Sequence, residues 1–247
     1  MVASLSRSPE ADSSTTGAQK QQRAEAYASH HTRHSRYGFS FRETERGARF
    51  AAWIGKGKRV LDLGCRDGHL TRCYASDNTV TGVDIDRNAL SLARQALGIS
   101  TVWLDLNREP LPFEDGSFDV VVAGELLEHL VDPEQVVSEA SRVLLPDGRF
   151  IGSVPNSFHW HARLPFLRDR QCEDSTHLHL FSRSSLLALL AAFGQVKVVP
   201  IGGIGGGVIP VLPPWLTLPL VRSLPALFAN DFLFCAAQGK PSARLAP

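Results

Sequence analysis

The residues best placed for chemistry begin at Val60-Leu61-Asp62-Leu63-Gly64-Cys65-Arg66-Asp67-Gly68-His69-Leu70. An apolar run ends there in two glycines, where a strand would give way to a helix. Glycine lets the backbone approach a ligand closely, and free N–H groups at a helix start favour a carboxylate or phosphate. A tight turn without a ligand satisfies the same pattern. About twenty residues further on, a second apolar run ends in Val83-Asp84-Ile85-Asp86, where a carboxylate can accept hydrogen bonds from both hydroxyls of a ribose. Asp86 stands before a helix-like segment and suits its N-cap, which leaves the ribose role to Asp84. The pair of motifs points to an adenosine-containing ligand.

Histidines form the second group. His129, His159, His161, His177 and His179 follow the fourth and fifth apolar runs, and imidazole is the side chain best poised to remove a hydroxyl proton near neutral pH. His177 and His179 alternate in Thr176-His177-Leu178-His179-Leu180, so an extended segment would turn both to one side. His177 is the first candidate and His179 the second. His129 is a third, for which holding a loop by a hydrogen bond is as good a reading. His30, His31 and His34 suit a solvated helix or lid, with Tyr27, Tyr37, Phe39 and Phe41 closing it over an acceptor. No paired carboxylate or cysteine pattern accompanies these histidines, and no metal site is expected.

The elements that must position these residues are short apolar runs alternating with helix-like segments, the mark of βαβ units and a parallel sheet. Strands are expected at Arg59–Leu63, Thr79–Asp84, Ser100–Leu104, Phe118–Ala123, Arg149–Val154, Gln195–Pro200 and Asp231–Ala237. Helices are expected at Gly68–Ala75, Arg87–Leu97, Pro133–Leu144 and Arg183–Phe193. Asp132 before Pro133 reads as a cap and first-turn pair, and Asp147-Gly148 as a turn. Met1 to Gln22 is polar, without the apolar core of a signal peptide, and reads as a disordered tail; 23–57 reads as a helical cap on a domain spanning 58–247.

With 247 residues and 43% hydrophobic side chains, the chain can bury one full core. Its 26 Lys and Arg nearly balance 25 Asp and Glu, so it lacks the basic field that holds nucleic acid. Four cysteines, without C-x-x-C spacing, indicate neither zinc nor a disulfide framework, and a cytoplasmic setting is expected.

Taken in order, Val60–Leu70, Gly82–Asp86, Asp105 with Leu111-Pro112-Phe113, and Gly116-Ser117-Phe118-Asp119-Val120-Val121 resemble the successive motifs of class I S-adenosylmethionine-dependent methyltransferases. Gly124-Glu125-Leu126-Leu127-Glu128-His129-Leu130, with Asp132-Pro133 and Leu144-Leu145-Pro146-Asp147-Gly148-Arg149, is similar to the type 11 and MetW-like branch. Ser153-Val154-Pro155-Asn156 and Thr176–Ser182 resemble small-molecule methyltransferases of that branch. The resemblance covers roughly 58–200. It implies an α/β, Rossmann-like, doubly wound seven-stranded sheet with the last strand antiparallel, binding S-adenosyl-L-methionine and releasing S-adenosyl-L-homocysteine. Carried over, it implies Asp62, Gly64 and Gly68 around the methionine portion, Asp84 on the ribose and Ile85 on the adenine face. Asp105, with Leu106 beside it, would meet the adenine amino group, and Glu125 the methionine end. Arg66 stands where the family has its middle glycine, and its side chain must turn outward or crowd the cofactor.

Val198–Val221 is uncharged and long enough to span a bilayer, but five prolines and five glycines would break the helix that spanning requires. An apolar insertion at about 201–230 is expected instead, and no transmembrane segment. It would pack on the sheet edge, line a pocket for an apolar or lipid-linked acceptor, touch a membrane surface or join a homodimer. The functional expectation is methyl transfer to a small molecule, with O-methylation favoured by the histidines. Two rivals are a MetW-like accessory protein binding an acyltransferase of methionine biosynthesis, and a dinucleotide-dependent oxidoreductase; the second lacks the G-x-G-x-x-G spacing.

Overall fold

The structure is a computed structural model describing residues 9–160, 163, 176–202, 219 and 221–238, with side chains from 17 onward. Seven strands form one sheet: β1 (Arg59–Leu63), β2 (Thr79–Asp84), β3 (Ser100–Trp103), β4 (Phe118–Gly124), β5 (Leu144–Pro155), β6 (Gln195–Ile201) and β7 (Asp231–Ala237). Their order is β3-β2-β1-β4-β5-β7-β6. The first five pair in parallel, whereas β7 runs antiparallel to both β5 and β6. Because β2 lies on one side of β1 and β4 on the other, the strand order reverses beside β1. A crevice opens there beyond the carboxyl ends of the strands, which is where this architecture places ligands.

The interior strands are apolar along their length because helices cover both faces of the sheet. Leu61, Leu63, Val121, Phe150 and Phe234 belong to one core cluster; Val60, Val80, Val122, Ile151 and Leu233 belong to the other. The helices are α1 (Pro9–Arg33), α2 (Glu43–Ile54), α3 (Arg72–Ala75), α4 (Arg87–Leu97), α5 (Pro133–Val143), α6 (Arg183–Leu189) and α7 (Pro225–Phe228). Their starts follow from local chemistry. Asp86 accepts from the N–H groups of Asn88 and Ala89 at the head of α4, and Asp132 from Gln135 at the head of α5, where Pro133 opens the helix.

Three expectations change. The boundary at residue 22 falls inside α1, which is helical from Pro9 to Arg33 where a disordered tail was expected through Gln22. Its Lys20 and Arg23 reach Glu109 and Asp105 across the domain, contacts no local pattern reveals. The first crossover helix begins at Arg72, not Gly68, because Gly68 has a positive φ of 77°. β5 begins at Leu144, and Asp147-Gly148 lies where its register on β4 shifts between Phe118 and Val120. Of the expected apolar insertion, 203–218 and 220 lie outside the described residues, as do His161, Cys172 and most of 161–175. Its far end is anchored: Val221 and Ala229 are buried in the core, and Asn156 Nδ2 donates to the carbonyls of Pro225, Ala226 and Ala229. Among the described residues, no helix is long and apolar enough to cross a membrane.

Gly152 marks the tightest point of the sheet, since a Cβ there would collide with the Ala123 carbonyl and the Phe234 ring. Gly152→Ala is expected to destabilise the protein by about 2–3 kcal/mol by overpacking. Denaturant titration checks this, and an unchanged midpoint would show that the strands can shift.

Candidate active site

The crevice is a cavity of about 360 Å³. The loop after β1 forms its near wall. Gly64 and Arg66 both have positive φ, 68° and 49°, so the loop coils back on itself at a glycine and at an arginine held in a conformation glycine adopts freely. The N–H groups of Gly64 and Cys65 both donate to the Val83 carbonyl, at 2.8 and 3.1 Å, tying the loop to the end of β2. The side chain of Arg66 turns toward the N-terminal segment, donating to the Phe39 carbonyl and, at 3.2 Å, to Asp67. Arg66 thus stays on the cavity wall with its side chain only partly exposed, rather than turning out to solvent.

Asp84 is buried, and each of its oxygens accepts a backbone N–H: Oδ2 from Arg66 and Oδ1 from Asp86, both at 2.8 Å. Burial raises its pKa, while these two donors act the other way. A carboxylate offers about four lone-pair sites, so two remain for a ligand. Asp62 Oδ2 accepts from Thr71 and Tyr74 at 2.6 and 2.7 Å, and desolvation raises its pKa to about 6. Ile85, Asp105 and Leu106 also line the cavity. Arg23 sits on Asp105 Oδ2 at 2.6 Å, and the Asn107 N–H on Oδ1 at 3.1 Å.

The opposite wall comes from the end of β4 and the segment after it. Glu125 takes a positive φ of 57°, with its N–H on the Ser153 carbonyl. Glu128 is fully buried and neither of its carboxylate oxygens has a hydrogen-bond partner. Desolvation first, and the nearby Glu125 second, push its pKa well up. Asp231 is pushed up to about 8 by the same two causes, with Arg42 Nε 3.5 Å from its Oδ2. His129 Nδ1 lies 3.1 Å from the Thr176 carbonyl, and its ring meets that of His177 edge-on at 4.8 Å. The loop-holding role read for His129 is therefore present, and both rings line the cavity.

Two expected site residues lie off its walls. Gly68 packs against α4, where a Cβ would meet Leu97 at 2.7 Å and Ala93 at 3.2 Å, so close helix packing by itself requires a glycine there. His179 continues past the cavity toward the Phe181 ring, 6.3 Å away, because the N–H groups of Leu178 and His179 both bind the Glu128 carbonyl and turn the chain. His159 is buried outside the walls. The sequence reading missed Glu128, Asp231, Arg46 and Arg23; an acidic residue opening the apolar run Phe232–Ala237 was the available signal for Asp231. The aromatic residues assigned to the lid divide: Tyr27, Phe39 and Phe41 line the cavity, whereas Tyr37 lies off its walls, its hydroxyl donating to Asp86 Oδ2 at 2.6 Å beside His31 Nδ1 at 2.9 Å.

A methyltransferase-domain family matches residues 30–198. The chain belongs to this family. The methyltransferase domain here has the fold of a SAM-dependent methyltransferase from Archaeoglobus fulgidus, with a TM-score of 0.61 at 18% identity over 78% of this chain and 91% of the other. A 1,6-didemethyltoxoflavin-N1-methyltransferase from Burkholderia thailandensis, solved with S-adenosylhomocysteine, covers 97% of this chain and 94% of its own at a TM-score of 0.57 and 18% identity. A ubiquinone biosynthesis O-methyltransferase of Thiobacillus denitrificans is 40% identical over 107 residues, which are 40% of this chain and 45% of that protein. The chain thus spans about half the length of the curated relatives it matches.

The contacts of Arg23 and Tyr37 hold α1 and the following segment across the cavity. Removing both, in Arg23→Ala/Tyr37→Phe, is expected to speed hydrogen exchange of α1 amides at least about tenfold, since bonds to charged groups contribute roughly 1.5–3 kcal/mol. Mass-spectrometric exchange reads this directly. Unchanged α1 rates would show that apolar packing alone holds the helix.

Proposed function

We propose that this methyltransferase moves a methyl group from S-adenosyl-L-methionine to a hydroxyl of a small molecule, releasing S-adenosyl-L-homocysteine. The observation that carries the reading is one cavity walled both by the Gly64 loop with Asp84 and by Glu128, His129 and His177. The first wall suits the cofactor. Asp84 keeps two lone-pair sites for the ribose hydroxyls, and Asp62 presents a buried carboxylate to the α-ammonium. Gly64 lets the loop backbone approach the amino-acid end, while Ile85 and Leu106 offer apolar contact to adenine and Asp105 an acceptor for its amino group. Glu125 stands at the methionine end.

When bound, the cofactor supplies a methyl carbon activated by a sulfonium, so alignment and exclusion of water are the main tasks left to the chain. The acceptor oxygen forms its bond to that carbon as the carbon–sulfur electron pair returns to sulfur. The hydroxyl proton is given up on the wall of His129 and His177. Two relatives named ubiquinone biosynthesis O-methyltransferase, 40% and 36% identical over part of the chain, support oxygen as the acceptor atom. Phe39 and Phe41, each about half exposed on the cavity wall, support an apolar or aromatic acceptor.

Calorimetric titration with S-adenosylhomocysteine, S-adenosylmethionine and NAD tests the reading: both adenosyl ligands are expected to bind, and NAD not. No binding of the adenosyl pair would overturn it. Asp84→Ala should weaken S-adenosylhomocysteine at least about a hundredfold through loss of two charge-assisted hydrogen bonds. The pH dependence has a defined sign. Asp62 is protonated below about pH 6 in the free protein, and an ammonium partner favours its ionised form, so binding expels a proton in that range. Affinity should fall about tenfold from pH 7 to pH 5. Asp62→Asn should flatten that fall; an equally steep profile in the variant would remove Asp62 from the ammonium.

A further inference from the structure

Glu128 and His129 are neighbours in the sequence, whereas His177 is far from both; folding brings the three together. The 3-10 turn Leu127–His129 follows β4 directly, and the segment 176–178 is laid beside it by two backbone bonds, from the N–H groups of Leu178 and His179 to the Glu128 carbonyl at 2.7 and 3.1 Å. One ligand atom from each of Glu128, His129 and His177 then lies within 4.8 Å of the other two. Both histidine rings and Glu128 face the cavity.

We infer that Glu128, His129 and His177 form a site for one divalent cation of the zinc class on the acceptor wall of the cavity. Three observations carry this. Glu128 is a fully buried carboxylate whose two oxygens have no hydrogen-bond partner, an arrangement that costs several kcal/mol unless a cation or donor compensates it. The imidazole of His129 is oriented from behind: with Nδ1–H donated to the Thr176 carbonyl, Nε2 carries the lone pair, and it faces Glu128 Oε1 at 3.9 Å. A backbone carbonyl that fixes the tautomer of a ligating histidine is the usual outer support of a metal site. The donor set is two imidazoles and one carboxylate, which suits zinc and other late transition ions better than magnesium or calcium.

Tetrahedral ligands about 2.0–2.1 Å from zinc lie roughly 3.4 Å apart, so closure needs a contraction of about 1.5 Å at most, within reach of side-chain rotation at Glu128 and His177. Three protein ligands leave a fourth position, and it opens into the cavity. The ligand that completes the site is an oxygen of the acceptor, which narrows the acceptor class to molecules whose hydroxyl can coordinate the cation. This last step rests on the methyl-transfer reading and changes one part of it: with both imidazole lone pairs on the cation, the hydroxyl is acidified by coordination and its proton passes to water rather than to histidine. The cation site itself does not rest on that reading.

The test is titration of the full chain, stripped with a chelator, with Zn²⁺ alone, followed by calorimetry and by metal analysis after gel filtration. One equivalent is expected, with affinity lowered at least about tenfold in both Glu128→Gln and His177→Ala, and Mg²⁺ is expected not to compete. Thermal midpoints of the metal-free variants establish that each is folded. The rival location is the cluster on α1, where the His30 and His34 rings are 4.5 Å apart. Binding that is lost only in His30→Ala/His34→Ala, that survives both wall variants, or that is absent altogether would overturn the proposal. Titration of the wild type with S-adenosylhomocysteine separates the two readings, since its failure would remove the methyl-transfer role and leave the zinc result standing.

Discussion

Asp84 uses one buried carboxylate to hold two loops. Its Oδ2 accepts the N–H of Arg66 in the loop after β1, and its Oδ1 that of Asp86 at the turn into α4. Both donors are backbone groups beyond the ends of strands, where no ladder satisfies them, and an unpaired N–H buried there would cost about as much as a lost hydrogen bond. The crevice beside β1 keeps its shape because this carboxylate compensates both at once. A ligand that binds Asp84 therefore meets a group already fixed by the fold.

The second wall follows a different logic. Glu125, Glu128 and Asp231 converge from the end of β4, the turn after it and the start of β7, and burial together with mutual repulsion pushes Glu128 and Asp231 toward their neutral forms. Arg42 and Arg46 of the N-terminal segment face them, the first beside Asp231 and the second with its Nη1 on the Phe41 carbonyl. The two walls differ in hydrogen bonding: Asp62 and Asp84 each accept two hydrogen bonds, whereas both carboxylate oxygens of Glu128 lack one.

The N-terminal segment joins the two. Lys20 and Arg23 reach Glu109 and Asp105, His31 and Tyr37 reach Asp86, and Arg66 reaches back to Phe39. These are polar contacts whose acceptors Asp86 and Asp105 are buried while Lys20 and Arg23 stay partly exposed. They place aromatic residues over the crevice without committing a large apolar area to it, which suits an element that must admit and release ligands.

The amino-acid sequence alone determined the parallel-sheet architecture, the strand positions within a residue or two for most strands, the caps Asp86 and Asp132, and the strand-end positions of Gly64 and Asp84, all by local rules: alternation of apolar runs, carboxylates before helices, glycine at a strand-to-helix turn. Asp62, Ile85, Asp105 and Leu106 were marked by the resemblance to class I methyltransferases, and the fold sets them around the same crevice. Tertiary structure decided the rest. The packing of Gly68 on α4, the reach of Arg66 to Phe39 and the anchoring of α1 by Lys20 and Arg23 depend on contacts between residues far apart in the chain. Glu128 came together with His177 because a turn after β4 and an extended segment almost fifty residues later share backbone hydrogen bonds. No periodicity or spacing records that proximity, since the two segments are adjacent only once the sheet has closed beneath them.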